Sequence, residues 1–494
     1  MAKVGWIWEL GAFVLLGSLA ALAMNGSWGI TGVGLLVLVP IAAVAFLVAC
    51  KQGVRNALGI LSSFSWWHVL WLLVFLSGLV FRVRDVREIS EQPVDGWALF
   101  RIGLQLVTAL VLAFRLVYRK PSWMKFMAHG LVGAMATYGL VCTVSTVWSV
   151  FPAWTIYKSL EFLVDLALLA AILATVRSLN GLKDLFNWTW ALYGLLLLST
   201  CVGAVLWPEE ALEATRGKIG LLGFQLAGVM PVVPANTVGD CSAIIGIVAL
   251  SRLLNRGIAA SDRAWYSLLL AGTLVTQVLS QTRSALAGFL LAVVLVLYYS
   301  KRLAKGAILS LFVIPLLAVP SIGALVWAFL QRGQSEQQLT SLSSRMDWWA
   351  VAWGRFLEQP LTGLGAYAAG RFAVLAKLGA TKTSTMHSDY LEIIVGTGVW
   401  GLIPVLVAVV GAWWVLHRTL RHYTMGSLHH QLALEALGVL GVLTVRSVFM
   451  SILTWHPPLH FLAVLGLAEL LRRQKKNDAT PVRSPALERG VQPT

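Results

Sequence analysis

An all-α fold, a polytopic bundle of about twelve to fourteen transmembrane helices with one long helical loop on its outer face, is predicted by three observations. The 494-residue chain is 58% hydrophobic and only 12% charged, a balance that no water-soluble core needs. Its apolar residues gather in stretches long enough to cross about 30 Å of hydrocarbon. Its basic residues fall on alternate sides of those stretches, as the positive-inside rule requires.

The first stretch, 8–24, has only Lys3 as a basic flank and is followed by many further spans, so it reads as a retained helix rather than a cleaved signal. Further spans lie near 29–50, 66–81, 98–118, 128–148, 159–177, 187–207, 236–254, 264–281, 284–300, 306–330, 389–416, 431–453 and 458–472. A cytoplasmic N-terminus puts Lys51 with Arg55, the RLVYRK run with Lys125, Arg177 with Lys183, Arg252 with Arg256 and Arg263, KRLAK and the RRQKK run on one side. RVRDVREISEQPVD, PEEALEATRGK and residues 331–388 then face the other side. The net charge of +16 therefore follows membrane topology and gives no reason to expect nucleic acid. Cys50, Cys142, Cys201 and Cys241 lie far apart without metal-ligand spacing, which argues against a disulfide framework or a zinc site. Trp66, Trp67, Trp97, Trp148, Trp207 and Trp455 stand at span ends, where indole prefers the headgroup zone.

This pattern divides the chain into N-terminal helices (1–127), a transmembrane core (128–330), the long outer loop (331–388), C-terminal helices (389–472) and a polar cytoplasmic tail (473–494). The loop is expected to be ordered. Met346, Trp349, Val351, Trp353, Phe356 and Leu357 recur at helical spacing, and Pro360 with the glycines of PLTGLGAY ends that helix.

Positive-inside bias should deplete the outer face of cations, yet Arg216, Lys218, Arg283, Arg332, Arg345, Arg355, Arg371, Lys377 and Lys382 all map there. Arginine presents a planar fork of donors that matches phosphate oxygens, so an anionic phosphate group at this face would account for them. Arg332, Arg371, Lys377 and Lys382 read as ordinary surface charges. Arg283 sits where one span ends and the next begins, so its guanidinium needs a partner. His387 stands at the mouth of a span, and a neutral imidazole can take a proton from a sugar hydroxyl. A metal role through HSDYLE is poor, because on a regular helix Asp389 lies about 200° and Glu392 about 140° around from His387. The intramembrane charges Glu161, Asp165 and Arg446 are expected to pair with one another, with an ion or proton relay as the alternative.

TSTMHSDYLEIIVGTGVWG resembles the signature of the O-antigen ligase and polymerase superfamily, in which a histidine precedes a helix carrying Leu391, Gly398 and Gly401 at fixed places. Ser388 stands where that family usually has asparagine. SRMDWWAVAWGRFLEQPLTGLGAY is similar to the family's outer-loop helix and turn through Arg345, Trp349, Pro360, Gly363 and Gly365. SQTRSALAG resembles its Ser/Thr-Arg turn, placing Arg283, and PANTVG, with one inserted alanine, resembles its helix start, placing Asn236 and Gly239. WSVFPAW is similar too, and the likeness runs over roughly 145–470.

The resemblance implies a metal-independent, inverting GT-C type glycosyltransferase without a cofactor, in the bacterial inner membrane with its site facing the periplasm. It would move a glycan from undecaprenyl pyrophosphate to a sugar hydroxyl of lipid A core or another glycan acceptor. On this view Arg283 and Arg345 hold the pyrophosphate and His387 deprotonates the acceptor, with Arg216, Lys218, Asn236, Trp349, Arg355, Ser388 and Asp389 binding substrate. The compact HSDYLE match and single long loop favour a ligase over an O-antigen or exopolysaccharide polymerase. A lipid-linked sugar flippase or transporter would instead show inverted repeats and charged midplane residues.

Overall fold

The computed structural model describes residues 47–304, 324 and 345–478, apart from 60–61, 63, 82–83, 85, 93, 119–122, 177, 215–222, 256, 381–382, 384 and 456. The expected span at 8–24, that at 306–330 except residue 324, that at 29–50 except residues 47–50, the loop segment 331–344 and the tail beyond 478 lie outside the described residues. The longer helices are α1 Trp66–Ser77, α2 Gly96–Tyr118, α3 Gly130–Val144, α4 Pro152–Thr175, α5 Leu179–Leu206 and α6 Ala235–Leu253. They continue as α7 Ala260–Ser280, α8 Arg283–Tyr299, α9 Arg345–Glu358, α10 Asp389–His422, α11 Leu428–Phe449 and α12 Leu459–Asp478.

Five described segments are long and apolar enough to cross a membrane: α2, α3 with the 3₁₀ turn that extends it to Trp148, α5, α10 and α11. The chain is a multi-pass membrane protein with an all-α bundle. α4 and α12 have comparable length but carry Lys158, Glu161 and Asp165, or Glu469, Arg472 and Arg473.

Local chemistry sets the helix ends. The hydroxyls of Ser178 and Ser427 accept from the amides of Gly181 and His430 and so cap α5 and α11. Pro152 occupies the first turn of α4, where its missing N–H loses nothing. α7 stops at Gln281, which takes a left-handed conformation (φ 50°) and lets α8 begin two residues later.

α12 runs through the centre of the bundle. Its Phe461, Leu462, Ala463, Val464, Leu465, Leu467 and Ala468 are fully buried, as expected of a helix apolar all round. α2 buries only Gln105, Thr108 and Leu112 and lies at the periphery. Lipid tails are as apolar as leucine, so polar contacts contribute much of the specificity between such helices. Glu435 of α11 accepts from Trp190 Nε1 of α5 at 2.6 Å and from Arg252 Nε of α6 at 2.8 Å.

The expected pairing of Glu161, Asp165 and Arg446 is not what forms. Glu161 pairs with Lys158 at 2.6 Å, Asp165 accepts from Gln105 at 3.2 Å, and Arg446 pairs with Asp240. Arg371 is a second correction. It is buried rather than a surface charge, donating to the Arg84 carbonyl at 3.2 Å with its guanidinium over Trp154. Trp67 is likewise no headgroup anchor, because it is buried and stacked on His68.

The loop after α9 is a strap laid on a broken helix. α10 is interrupted at Gly398, whose φ of 61° and ψ of −157° are open to glycine alone. The amides of Leu364 and Gly365 donate to the freed carbonyls of Val395 and Gly396 at 2.8 and 2.9 Å, and the Val399 amide donates to Pro360 O at 2.9 Å. A Cβ at Gly398 would stand 2.3 Å from the Leu361 carbonyl group, so absence of a side chain is what lets the backbones meet. From the other side, the Val150 amide donates to Leu364 O, Ser145 Oγ accepts from the Ala366 amide, and Thr155 donates to Ala366 O. WSVFPAW, PLTGLGAY and GTGVWG thus form one joint, and it holds the segment leading to His387.

Candidate active site

The C-terminal end of α11 is where several of the functional candidates meet. Arg345 opens α9 and donates from Nη1 to the Phe449 carbonyl at 3.1 Å, serving one of the carbonyls that a helix end leaves without an internal partner. Trp349, one turn along α9, donates from Nε1 to Met386 O at 3.0 Å and stacks on Phe449. These two contacts set the loop helix against both the His387 loop and α11.

His387 lies just before α10, on a left-handed backbone (φ 56°) that histidine tolerates better than most residues. It precedes the helix, so angular spacing around α10 does not govern what it can meet. Nδ1 is 3.2 Å from Met450 Sδ, and Trp348 stacks on the ring with centroids 6.1 Å apart. Burial, with the positive charges of Arg345 and Arg446, pushes its pKa down from the ordinary 6.5 to about 3. The imidazole is therefore neutral at pH 7, while the side chain stays partly exposed.

The two acids beside it hold backbone. Asp389 is fully buried, and its carboxylate accepts from the amides of Ile452, Leu453 and Thr454 at 2.8, 3.0 and 3.2 Å and from the Thr454 hydroxyl at 3.0 Å. That occupies both oxygens, so Asp389 clamps the segment after α11. Glu392 accepts from the Met386 amide and fits because Gly370 has no side chain; a Cβ there would lie 2.3 Å from Glu392 Oε2. Ser388 is buried at the N-cap of α10.

The PANTVG and SQTRS stretches also touch. Thr282 Oγ1 donates to Ala235 O at 3.1 Å, and a Cβ on Gly239 would stand 2.5 Å from Thr282 Cβ. Asn236 is thereby placed in the first turn of α6 beside the turn that carries Arg283, which opens α8. Ser284, the next residue, bonds Arg446 of α11. Residues near the starts of α6, α8 and α9, and His387 just before α10, thus contact the C-terminal end of α11 or the residue after it.

Arg355 does not join them. It lies ten residues along α9, about 15 Å from Arg345 at the helical rise, and is paired with Glu358 at 2.8 Å. Arg216 and Lys218 lie outside the described residues, between short antiparallel strands Leu212–Ala214 and Phe224–Leu226. Among the described residues, no three His, Cys, Asp or Glu side chains are grouped as a metal ion would need.

Family comparison bears on the same segment. Residues 267–406 match the O-antigen ligase family. The match covers under a third of the chain and is narrower than the 145–470 suggested by the motifs. It runs from within α7 into α10 and takes in Arg283, Arg345, Trp349, Arg355, His387, Ser388 and Asp389. Among curated proteins the chain has no match. The O-antigen ligase segment does not include Met450, which touches His387, nor Arg446 and its partner Asp240.

Trp348, Glu392 and Met450 were not among the sequence candidates. Trp348 could have been found as the neighbour of the motif tryptophan, and Glu392 as an acid one turn into an apolar helix. Met450 carries no sequence signal.

Proposed function

We propose that this protein is an O-antigen ligase-like glycosyltransferase of the bacterial inner membrane, facing the periplasm. It moves a glycan from undecaprenyl pyrophosphate to a sugar hydroxyl, with lipid A core as the acceptor class. The observation that carries this is His387, partly exposed between Trp348 and Met450, at the end of α11 where Arg345 of α9 and the turn bearing Arg283 also make contact.

In the reaction His387 accepts the proton of the acceptor hydroxyl while its oxygen attacks the anomeric carbon from the side opposite the pyrophosphate. The new glycosidic bond forms as the old carbon–oxygen bond breaks, which inverts the centre. Undecaprenyl pyrophosphate departs with the bonding electrons, and the guanidiniums of Arg283 and Arg345 stabilise its developing charge. The proton leaves His387 for bulk water.

The test uses the purified full chain with an undecaprenyl pyrophosphate-linked glycan and, in separate arms, lipid A core or a second undecaprenyl-linked unit as acceptor. His387→Ala should bind donor normally and turn over about 10² to 10⁴ more slowly, and EDTA should leave the wild-type rate unchanged. A folded His387→Ala variant with near-normal turnover would overturn the role of this histidine. Transfer only to the second undecaprenyl-linked unit would make the enzyme a polymerase.

A further inference from the structure

Arg446 is a buried cation that the proposed chemistry leaves unused. It is 1% exposed near the outer end of α11. Its Nη2 donates to Asp240 of α6 at 2.8 Å, and its Nη1 bonds the hydroxyl of Ser284 on α8. The next residue, Ser447, donates to Tyr390 Oη at 3.2 Å. One turn on, Phe449 offers its carbonyl to Arg345, and Met450 Sδ lies 3.2 Å from His387 Nδ1. One guanidinium therefore ties the start of α6 and the turn bearing Arg283 to α11, whose following residues contact Arg345 and the loop bearing His387.

A buried ion pair in a span is a poor way to gain stability, since apolar residues of similar volume often serve as well or better. What it adds is a fixed geometry and a charge. Both fall on the candidate site, because the charge of Arg446 adds to burial and to Arg345 in disfavouring protonation of His387, and the residues that follow Arg446 on α11 contact Arg345 and His387.

We propose that Arg446 is a positioning residue of this site: locked by Asp240 and Ser284, it fixes the turn carrying Arg283 against the loop carrying His387 and sets the electrostatic field at the imidazole. The inference rests on the reading of His387 as the base. Arg345 faces His387 from α9 and Arg446 faces it from α11. On α10, Asp389 is held by the 452–454 amides and Glu392 by the Met386 amide. Asp240 lies behind Arg446 on α6, and Arg283 opens α8 next to Ser284.

The experiment compares the purified full chain as wild type, Arg446→Lys and the near-isosteric neutral pair Asp240→Asn/Arg446→Gln. The pair avoids leaving a lone buried charge. His387→Gln assigns the His387 signal among the nine histidines in a ¹³C imidazole titration. Binding of inorganic pyrophosphate is the second readout, and neither readout needs turnover. In the neutral pair, His387 should titrate at a higher pH than in the wild type, still below 6.5 because its burial and Arg345 remain, and pyrophosphate should bind on the order of tenfold more weakly, the weight of one interaction in a coupled network. Arg446→Lys should keep the titration near wild type while weakening pyrophosphate. A folded neutral pair whose His387 titration is unmoved overturns the proposal. Normal turnover by His387→Gln would instead remove the base while leaving any shift in the neutral pair standing, so the two failures are distinguishable.

Discussion

The proposed base, His387, is weakly basic where it sits. Burial, with the positive charges of Arg345 and Arg446, pushes its pKa down to about 3, and a bound pyrophosphate would cancel part of the arginines' contribution. The acid limb of kcat/KM reports the free enzyme and that of kcat the loaded one. We therefore expect the kcat/KM limb well below 6.5 and the kcat limb above it, read from rates between pH 4 and 8. The same shift bears on stability. Between about 3 and 6.5 the unfolded chain binds a proton that the folded chain refuses, so folding weakens as pH falls through that window and gains nothing further above it. The arginines give a separate expectation. Arg283→Ala and Arg345→Ala should each lower transfer by about 10² to 10³, the usual effect of deleting one charge-stabilising donor. Lysine should rescue poorly at Arg345, whose fork also serves the Phe449 carbonyl, and full activity of Arg345→Lys at normal protein levels would exclude that role. His387 and Arg283 could be singled out because each sets a polar group at the mouth of an apolar helix, and Arg345 because it opens the periodic helix of the long loop. The partner of Arg446 was not read, although depth predicts it: in antiparallel α6 and α11, Asp240 and Arg446 both lie within about two turns of the outer end, while Glu161 and Asp165 sit deeper in α4.

At the scale of elements, the joint between the strap and α10 converts glycine positions into site geometry. Gly398→Ala meets both a backbone region costing about 1 to 3 kcal/mol for other residues and a carbonyl group 2.3 Å from the new Cβ. The strap should lift, lowering the melting temperature and the transfer rate together. Gly354→Ala on α9 is the control: nothing lies within 4 Å of its Cβ, and helical alanine in place of glycine favours folding by about 0.5 to 1 kcal/mol. Equal melting temperatures for the two variants would mean that the strap contacts do not hold this region. Helix positions could be read from apolar run length, and the end of α9 from Pro360. The break at Gly398 could not, since a glycine in an apolar run is compatible with an unbroken span. Only the juxtaposition with Leu361 and Pro360 shows why it is there.

For the whole molecule, the ends of the helices sort by charge and by what the charges do. At one end, Lys183, Arg418, Arg421, Arg472 and Arg473 crowd the starts and finishes of α5, α10 and α12. Positive charges here answer to the positive-inside rule. At the other end the arginines are engaged within the protein: Arg345 with Phe449 O, Arg371 with Arg84 O, and Arg446 with Asp240. An arginine whose donors are used by the fold is not free to obey a rule about loops, so these residues do not argue against an outer position for this end. We expect single cysteines, placed in a chain lacking Cys50, Cys142, Cys201 and Cys241, to report opposite sides. Leu361→Cys, on the exposed part of the strap, should react with a membrane-impermeant maleimide in cells whose outer membrane is opened. Thr424→Cys, in the turn between α10 and α11, should react only after the inner membrane is broken. Labelling of Thr424→Cys alone in intact inner membranes would turn the protein over, put His387 in the cytoplasm, and remove it from a donor presented at the periplasmic face.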